Sequence, residues 1–418
     1  MSIKKAIVLA AGEGKRLRPL TYTRPKCMIQ LAGKPILQHV LESLQVAGVS
    51  EASVVIKYMK ETITEHFKQH PIEGLKLNFI EQGEKYGTAA AFLEGEKFID
   101  DTFIGIAGDV ITEASAIRRL IDAHESAQGA EMTAALKRVT DPQNYGVVSL
   151  DSKGFISKFT EKPKSPVGDL ANTSIYVFEP KIFSKMKAAK KSPRGEFEMT
   201  DVIQSSKVKG VVIDEYWLDM GLPWQLFDAN DFLLSKMKAK VGDIDDSKIM
   251  GKVIMEKNAR IFDSYIEGPL YVGENSIIGP HAYIRGITSI GKNCSIGDST
   301  TIKNSIIFDN VNAKHLTYIG DSVIGSNCNF GAGTQIANYR FDAGSIKATV
   351  NEVIVDTKRN KLGTIIGDNT KTGVLSSIMP GKTIGDDCWI GANVMIEQDV
   401  PRKTRVFLKQ DLTFEKRE

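Results

Sequence analysis

The first residues able to do chemistry lie near the start of the chain, in the segment LAAGEGKRLRPLTYTRPK, residues 9–26. An apolar stretch ends at Gly12, and the segment holds two glycines and five positively charged side chains. Glycines expose backbone N–H groups, which bind phosphates together with lysine and arginine. The segment therefore predicts an anion-binding loop at the end of a strand, with an ordinary basic surface turn as the alternative.

This loop does not fit the common nucleotide-binding fingerprints. In GxGxxG the third glycine would fall on Leu17, and in GxxxxGK[ST] a serine or threonine would follow Lys15, where Arg16 stands. The basic tip and apolar run of residues 1–11 resemble a signal peptide, but the run is short and charged residues follow at once. The segment therefore predicts neither a Rossmann fingerprint nor a P-loop, and we do not expect the protein to be secreted.

Length and composition are those of an ordinary globular protein. The 418 residues suggest at least two domains, with 42% hydrophobic and 25% charged residues. A net charge of +3 gives no reason to expect a nucleic-acid partner, and no apolar run approaches the ~18 residues of a membrane span. None of the four cysteines belongs to a CxxC pair, so we do not expect a zinc knuckle. Their number and scatter do not suggest a disulfide framework, and we expect a cytoplasmic location.

Residues 1–237 alternate between strand-like and helix-like patterns. Such alternation is typical of an α/β sandwich around a mostly parallel sheet, in which ligands bind at the carboxyl ends of the strands. The opening loop and Asp109 both follow predicted strands, so we expect them at that edge. The predicted strands are KAIVLA, SVVIKY, LKLNFIEQ and TFIGIAGD, and the clearest helices are PILQHVLESLQVAG and ASAIRRLIDAHESAQ.

Residues 238–418 instead carry an aliphatic residue at every sixth position, often followed by glycine. This period is typical of a parallel β-helix, in which three six-residue sides form a coil and the aliphatic residue points inward. The period breaks at residues 309–317 and 339–363, and we expect both to be projecting insertions. Predicted inward residues are Ile254, Ile266, Val272, Ile278, Ile284, Ile290, Ile296 and Ile302, with Arg260 as the one break, and predicted internal small residues are Ser276, Ala282, Thr288, Cys294, Thr300, Cys328 and Cys388.

Five motifs of the first half, in order, resemble the sugar-1-phosphate nucleotidylyltransferases. They are the opening loop, EKP at residues 161–163, NTSIYVF, GEFEMTD and YWLDMG. Enzymes of this family make a nucleoside-diphosphate sugar and pyrophosphate from a nucleoside triphosphate and a sugar 1-phosphate. The attacking phosphate is already an anion, so such a site needs cations and backbone N–H groups rather than a general base.

The resemblance assigns roles to the matching positions. It implies Arg16 and Lys26 as catalytic residues that neutralise phosphate charge, and Asp109 and Asp219 as ligands of Mg²⁺. One departure is Ile111, which stands where many relatives carry a second acid. Contacts to the nucleoside triphosphate, UTP or dTTP, are expected from Leu9, Ala11, Gly12, Gly14, Lys15, Gln82, Gly87 and Thr88, and contacts to the sugar phosphate from Gly146, Glu161, Lys162 and Asn172.

A second resemblance lies in KHLTYIGDSVIGSNCNFGAGTQIANY, residues 314–339. This stretch is similar to the acetyltransferase site of the bifunctional N-acetylglucosamine-1-phosphate uridylyltransferase/glucosamine-1-phosphate acetyltransferases. An amino sugar must lose a proton before it attacks the thioester of acetyl-CoA, and histidine suits that role near neutral pH. The resemblance implies His315 as the base, Lys303, Tyr318, Asn329 and Lys361 on the amino-sugar phosphate, and Ala332, Asn338 and Tyr339 on acetyl-CoA. One N–H group of the Gly331-Ala332-Gly333 backbone is expected to donate to the oxyanion.

Together the two resemblances make the chain similar to the archaeal bifunctional sugar-1-phosphate nucleotidylyltransferase/acetyltransferases. The bacterial bifunctional enzymes lack the RLRPLT…RPK form of the opening loop. The assignment of Lys361 crosses an insertion, RFDAGSIKATVNEVIVDTKR. The expected fold class is α/β: a Rossmann-like nucleotidyltransferase domain, residues 1–237, followed by a left-handed parallel β-helix acetyltransferase domain of hexapeptide repeats, residues 238–418.

Two other functions stay open at this point. One is a single-activity nucleotidylyltransferase for glucose 1-phosphate or mannose 1-phosphate, with a β-helix that only oligomerises or regulates. The other is a sensor with degenerate sites. The residues around His315 argue against a scaffold, and the intact Arg16, Lys26 and Asp109 argue against a sensor. By analogy with other hexapeptide β-helices we expect a homotrimer that binds small molecules, with no nucleic-acid or membrane partner.

Overall fold

The computed structural model describes residues 3–163, 165 and 167–417 and divides into two compact units. The first unit holds the N-terminal residues to Glu13, residues 25–28 and residues 35–220. The second holds residues 14–24, residues 29–34 and the chain from Gly221 onward. The sequence-based division near residue 237 follows the change of repeat pattern, whereas the compact units also group two N-terminal segments with the β-helix.

The first unit is built on a nine-stranded sheet. Its order runs β7-β6-β8-β4-β1-β2-β3, with β5 beside β8 and β9 beside β5. Strands β7 and β8 run against the other seven, so the predicted mostly parallel sheet is confirmed. The strands are β1 (Lys5–Ala10), β2 (Glu51–Ile56), β3 (Lys76–Glu81), β4 (Phe103–Ala107), β5 (Met132–Arg138), β6 (Gly146–Leu150), β7 (Ile156–Glu161), β8 (Leu170–Phe178) and β9 (Val208–Val212).

Helices cover both faces of this sheet. Successive side chains of a strand point to opposite faces, so each strand contributes to two apolar cores. Ala6 and Val8 of β1 face a core that also contains Leu41 of α1 and Leu120 of α4. Ile7 faces a second core, together with side chains of α3, α5 and α6. The helices of this unit are α1 (Ile36–Ala47), α2 (Lys60–Gln69), α3 (Thr88–Leu93), α4 (Ala114–Ser126), α5 (Ile182–Ala188) and α6 (Met199–Gln204).

The second unit is a parallel β-helix with α7 (Gln225–Lys236) packed on it through Leu234. Three sheets enclose one continuous apolar core. Sheet I comprises Asp243–Asp245, Arg260–Phe262, Ile277–Ile278, Ser295–Ile296 and Asn312–Ala313, and continues through Asn329 to Lys371–Thr372, Trp389–Ile390 and Arg405–Val406; sheet II comprises Lys248–Met250, Tyr265–Glu267, Tyr283–Arg285, Thr301–Lys303, Tyr318–Gly320, Gln335–Ile336, Ser377–Ile378 and Met395–Ile396; sheet III comprises Val253–Met255, Leu270–Val272, Thr288–Ile290, Ile306–Ile307, Val323–Ile324, Ile365–Ile366 and Thr383–Ile384.

The predicted hexapeptide solenoid is confirmed, with one shift of phase at its start. The inward residues from Ile266 to Ile302 lie in the core, as do the three cysteines of the repeat. In the first coils the inward-facing residues are Met255 and Ile261, each one residue after the predicted inward positions 254 and 260. Ile254 pairs with Tyr271, and both point away from the solenoid core and are buried against α7, which is why an apolar residue occupies this outward-facing position.

The prediction that residues 309–317 form a projecting insertion was wrong, and the same prediction for residues 339–363 is confirmed. Ile302 pairs with Ile319, seventeen residues on, whereas Ile284 pairs with Ile302, eighteen residues on. The period is therefore broken by a shortened coil. Residues 339–363 do leave the solenoid and form an antiparallel hairpin, Lys347–Val350 with Val353–Asp356. No helix of the described part of the chain has the length and apolarity needed to cross a membrane.

Candidate functional site

Two predicted metal ligands and a predicted catalytic lysine meet at the carboxyl end of β4. Asp109 follows that strand, and Val110–Thr112 pairs with Trp217–Asp219, which brings Asp219 beside it. The backbone N–H of Met220 donates to the Asp109 carbonyl at 3.2 Å. The Lys26 ammonium contacts the Asp109 carboxylate and lies 3.6 Å from Oδ1 of Asp219. The structure thus brings these three residues together.

This pair of carboxylates suits a hard divalent cation. Mg²⁺ is usually held by one or two carboxylates, with its other ligands from phosphates and water. Among the described residues no group of three or more histidine, cysteine, aspartate or glutamate side chains could hold an ion alone. A metal at Asp109 and Asp219 therefore needs the substrate's phosphates. Ile111, the departure noted above, is buried in the core and pairs with Leu218, so packing replaces a second acid there.

The opening loop begins in the first unit and continues in the second. Leu9 belongs to β1, and Ala11 and Gly12 follow it. Gly14 has a φ of 73° and precedes a short 3-10 helix, Lys15–Leu17. Lys15 and Arg16 are exposed, as a phosphate-binding role requires.

The predicted base contacts lie between β3 and α3. Gln82 is buried, and its side-chain amide donates to the Lys85 carbonyl at 2.9 Å. Gly87 has a φ of 120° and packs on the backbone of Phe197, so a side chain there would collide with it. The Thr88 hydroxyl accepts from the N–H of Met199 at 2.9 Å. The structure therefore joins this segment to the GEFEMTD motif.

The predicted sugar contacts lie around β6 and β7. Gly146 and Glu161 are register partners, and the Lys162 N–H donates to the Tyr145 carbonyl at 3.1 Å. The Asn172 amide donates to the Tyr176 hydroxyl at 2.6 Å. Its buried Oδ1 has no hydrogen-bond partner within the described structure and is left to accept from a ligand.

Arg194 is a residue of this region that sequence reasoning missed. It lies 3.5 Å from Glu161 and 2.9 Å from Glu198. Burial opposes ionisation of Glu198, but hydrogen bonds from Arg194 and Ser192 outweigh it and lower the pKa of that carboxyl. The signal that could have found Arg194 is its place directly before the GEFEMTD motif.

The predicted acetyl-site residues divide between two corners of the β-helix. At the corner between sheets II and III, Asp321 accepts from the Lys303 ammonium at 3.2 Å and from the Asn338 side-chain amide. Tyr339 and Lys361 form a β-bridge there. An open cavity of about 630 Å³ at this corner is lined by Asp321, Ser345, Lys358, Arg359, Asn360 and Lys361.

Gly320 explains how the side chains of this corner converge. A Cβ on Gly320 would stand 2.6 Å from both the Tyr318 hydroxyl and the Asn338 side-chain nitrogen. Any larger residue would push both groups away. The corner therefore gathers two lysines, a phenol and an amide around the Asp321 carboxylate, which already accepts from Lys303 and Asn338.

The corner between sheets I and II holds the predicted base. His315 is 56% exposed, and its Nδ1 lies 2.8 Å from Oδ2 of Asp298. Asn329 lies on sheet I one coil further along, next to Asn312. An ionised Asp298 accepts from Nδ1–H, which leaves Nε2 as the basic nitrogen.

The structure leaves one of the three backbone N–H groups of the Gly331-Ala332-Gly333 stretch as the candidate oxyanion donor. The N–H of Gly331 donates to the Thr372 carbonyl at 3.0 Å, and that of Gly333 donates to the His315 carbonyl at 3.0 Å. Both are used by the solenoid's own hydrogen bonding. Ala332, between them, remains the candidate donor.

Known proteins resemble the chain over both halves. Residues 5–236 match the nucleotidyl transferase family, residues 266–375 the GMPPB C-terminal domain family, and residues 363–398 the hexapeptide repeat of succinyl-transferase. The bifunctional protein GlmU of Methanocaldococcus jannaschii is 43% identical over 98% of this chain and 99% of its own length. The bifunctional sugar-1-phosphate nucleotidylyltransferase/acetyltransferase of Sulfurisphaera tokodaii is 36% identical over 95% and 98%, respectively.

Among solved structures, a UDP-glucose pyrophosphorylase complexed with UDP-glucose matches 56% of this chain and all of its own. Its TM-score of 0.51 and 23% identity show a shared fold. The names of the curated relatives include nucleotidyl transfer and acetyl transfer. In general, the first reaction needs a divalent metal and the second needs acetyl-CoA. The chain therefore belongs to the family of bifunctional sugar-1-phosphate nucleotidylyltransferase/acetyltransferases.

Proposed function

We propose that the chain acetylates glucosamine 1-phosphate and joins a sugar 1-phosphate to UMP or dTMP. Residues 1–237 carry the nucleotidyl transfer and residues 238–418 the acetyl transfer. The observation that carries the second activity is His315, exposed at a corner of the β-helix and oriented by Asp298. His281 forms the same kind of pair with Asp263, so the assignment also depends on the acetyltransferase-like stretch to which His315 belongs. Galactosamine 1-phosphate is the alternative acceptor.

Nucleotidyl transfer follows from the charges at the β4 edge. A sugar-phosphate oxygen attacks the α-phosphorus of UTP or dTTP, a P–O bond forms, and the bond to the β-phosphate breaks to release pyrophosphate. Arg16 and Lys26 neutralise the charge that spreads over the phosphates. Mg²⁺ on Asp109 and Asp219 would add Lewis-acid charge. We propose Leu9, Ala11, Gly12, Gly14, Lys15, Gln82, Gly87 and Thr88 as the triphosphate and base contacts, and Gly146, Glu161, Lys162 and Asn172 as the sugar-phosphate contacts.

Acetyl transfer follows from the two corners of the β-helix. His315 Nε2 accepts one proton from the ammonium of the amino sugar. The amine then attacks the thioester carbonyl, an N–C bond forms, the C–S bond breaks, and a second proton reaches the departing sulfur. Ala332 N–H donates to the oxyanion. We propose Lys303, Tyr318, Asn329 and Lys361 for the amino-sugar phosphate, and Ala332, Asn338 and Tyr339 for acetyl-CoA.

We also propose a homotrimer, supported by the division of the acetyl-site residues. His315 and Asn329 lie at the I/II corner, whereas Lys303, Asn338 and Lys361 lie at the II/III corner. Adjacent copies can bring one corner of each type together, so acetyl-CoA would bind between them. The hexapeptide match supports oligomerisation in general. All four cysteines are free and buried, which supports the proposed cytoplasmic location.

The test is thiol release from acetyl-CoA with glucosamine 1-phosphate as acceptor, for the wild type and His315→Ala. We expect release that requires the sugar phosphate and falls about 1000-fold or more in the variant, since general-base catalysis contributes ~10²–10⁴-fold. Nucleotidyl transfer, measured as pyrophosphate release, should persist. Wild-type protein that makes nucleotide sugars but releases no thiol would reduce the β-helix to a scaffold.

A further inference from the structure

The second half of the opening loop belongs to the same compact unit as the β-helix. This loop segment, residues 14–24, carries the proposed contacts Gly14 and Lys15 and the proposed catalytic Arg16 at its start. Lys26 follows two residues after its end. Whatever holds residues 14–24 in place therefore affects the groups that neutralise the phosphates.

Asp368 of the β-helix holds the end of the loop segment. Its Oδ2 accepts from the Thr23 hydroxyl at 2.7 Å and from the Arg24 guanidinium, and its Oδ1 accepts from the Ser326 N–H at 2.8 Å. The Arg24 and Asp368 side chains are only 12% and 7% exposed. The guanidinium also lies 4.8 Å over the Phe308 ring. An ion pair this buried and this fully bonded fixes geometry more than it adds to stability.

Two more aspartates along the same edge of the β-helix hold neighbouring parts of the N-terminal region. Asp309 accepts from the Gln30 side chain at 3.0 Å. Asp386 pairs with Arg402, whose guanidinium lies 4.4 Å over the Tyr22 ring. Asp309, Asp368 and Asp386 each follow a sheet III strand, so they form one column.

We propose that Asp368 is a positioning residue for nucleotidyl transfer, acting from the β-helix through Thr23 and Arg24 on the loop that binds the triphosphate. The inference rests on the proposed nucleotidyl transfer. It adds that the β-helix fixes the end of the loop segment that carries Lys15 and Arg16. Loss of the contact should misplace Lys15 and Arg16, because the loop segment loses its fixed end.

The test uses full-length Asp368→Asn, with Asp263→Asn as the matched control. Asp263 is a half-exposed β-helix aspartate outside the column that pairs with His281. For Asp368→Asn we expect kcat/KM for the nucleoside triphosphate to fall about 10- to 100-fold, the range that small misplacements cause. The KM for the sugar 1-phosphate and the rate of acetyl transfer should stay within about twofold, since neither depends on the loop. The control should match the wild type.

Thr23→Val serves as a second variant that keeps the ion pair and removes one hydrogen bond. It should raise the KM for the nucleoside triphosphate about 2- to 10-fold, and it decides the matter if Asp368→Asn does not fold. Unchanged triphosphate kinetics in the folded variants, or a parallel loss of both activities, would overturn the role of Asp368. A wild type without pyrophosphate release would instead overturn the proposed nucleotidyl transfer.

Discussion

At the scale of single residues, the β4 edge shows how one lysine can serve two carboxylates. Lys26 contacts Asp109 and lies 3.6 Å from Asp219. Three charges in so small a space leave one net negative charge. A divalent cation and the phosphates of a substrate can therefore enter together, with Lys26 turning to a phosphate oxygen.

Asp109→Asn tests this arrangement. We expect Mg²⁺-dependent pyrophosphate release to fall about 100-fold or more, because a metal ligand and its charge are lost together. Acetyl transfer should change less than about twofold, because its residues lie on the β-helix. A variant that keeps Mg²⁺-dependent activity would remove Asp109 from the ligands. Asp101→Asn, an exposed aspartate of the same unit, is the control.

The motif residues were predictable one by one, and their partners were not. Sequence spacing placed Asp109 at the end of a strand, but it gave no sign that Asp298 orients His315 or that Arg194 contacts Glu161. Those partners belong to different coils or strands, and no local pattern records them. The use of the Gly331 and Gly333 N–H groups was hidden for the same reason, since they bond to Thr372 of the following coil and to His315 of the preceding coil.

At the scale of elements, the hexapeptide period predicted the solenoid because every coil repeats the same packing. The small internal position accepts cysteine as readily as alanine: Cys294, Cys328 and Ala282 are all buried. The period could not reveal the outward packing of Ile254, which depends on α7. It also could not distinguish a shortened coil from an insertion, since both shift the phase.

The buried thiols make stability depend on pH. Burial raises the pKa of Cys328 from 9.0 to about 12, with smaller opposing effects of hydrogen bonding. Between these values the unfolded thiol ionises while the folded thiol stays protonated. Stability is therefore unaffected below pH 9 and falls as the pH rises toward 12. From pH 8 to pH 10 this one thiol should lower the free energy of unfolding by on the order of 1 kcal/mol.

Denaturant unfolding of the wild type and Cys328→Ala at both pH values measures this effect. The loss of stability between pH 8 and pH 10 should be smaller in the variant by about that amount. A thiol reagent at pH 8 should label no cysteine of the native protein and all four after unfolding. Equal losses in both proteins, or rapid native labelling, would show that the thiol is accessible.

At the scale of the whole molecule, the compact units do not coincide with two consecutive halves of the chain. Thr23 and Asp368 are 345 residues apart in sequence, and their contact places part of the opening loop with the β-helix. A boundary drawn from the change of repeat pattern cannot show such a contact. The sequence thus predicted both folds, and it missed the way the loop is held.

The division of the acetyl site between two corners makes its assembly testable. Neither His315→Ala nor Lys303→Ala alone should transfer acetyl groups, because each destroys one corner. If each site joins the I/II corner of one copy to the II/III corner of the next, every trimer that contains both variants keeps both corners intact at about one site in three. Co-expression with two affinity tags and tandem purification gives these mixed trimers, and light scattering should report about three chain masses. We expect about a third of wild-type thiol release. Inactive mixed trimers, built from subunits that fold and assemble, would place the whole site within one chain.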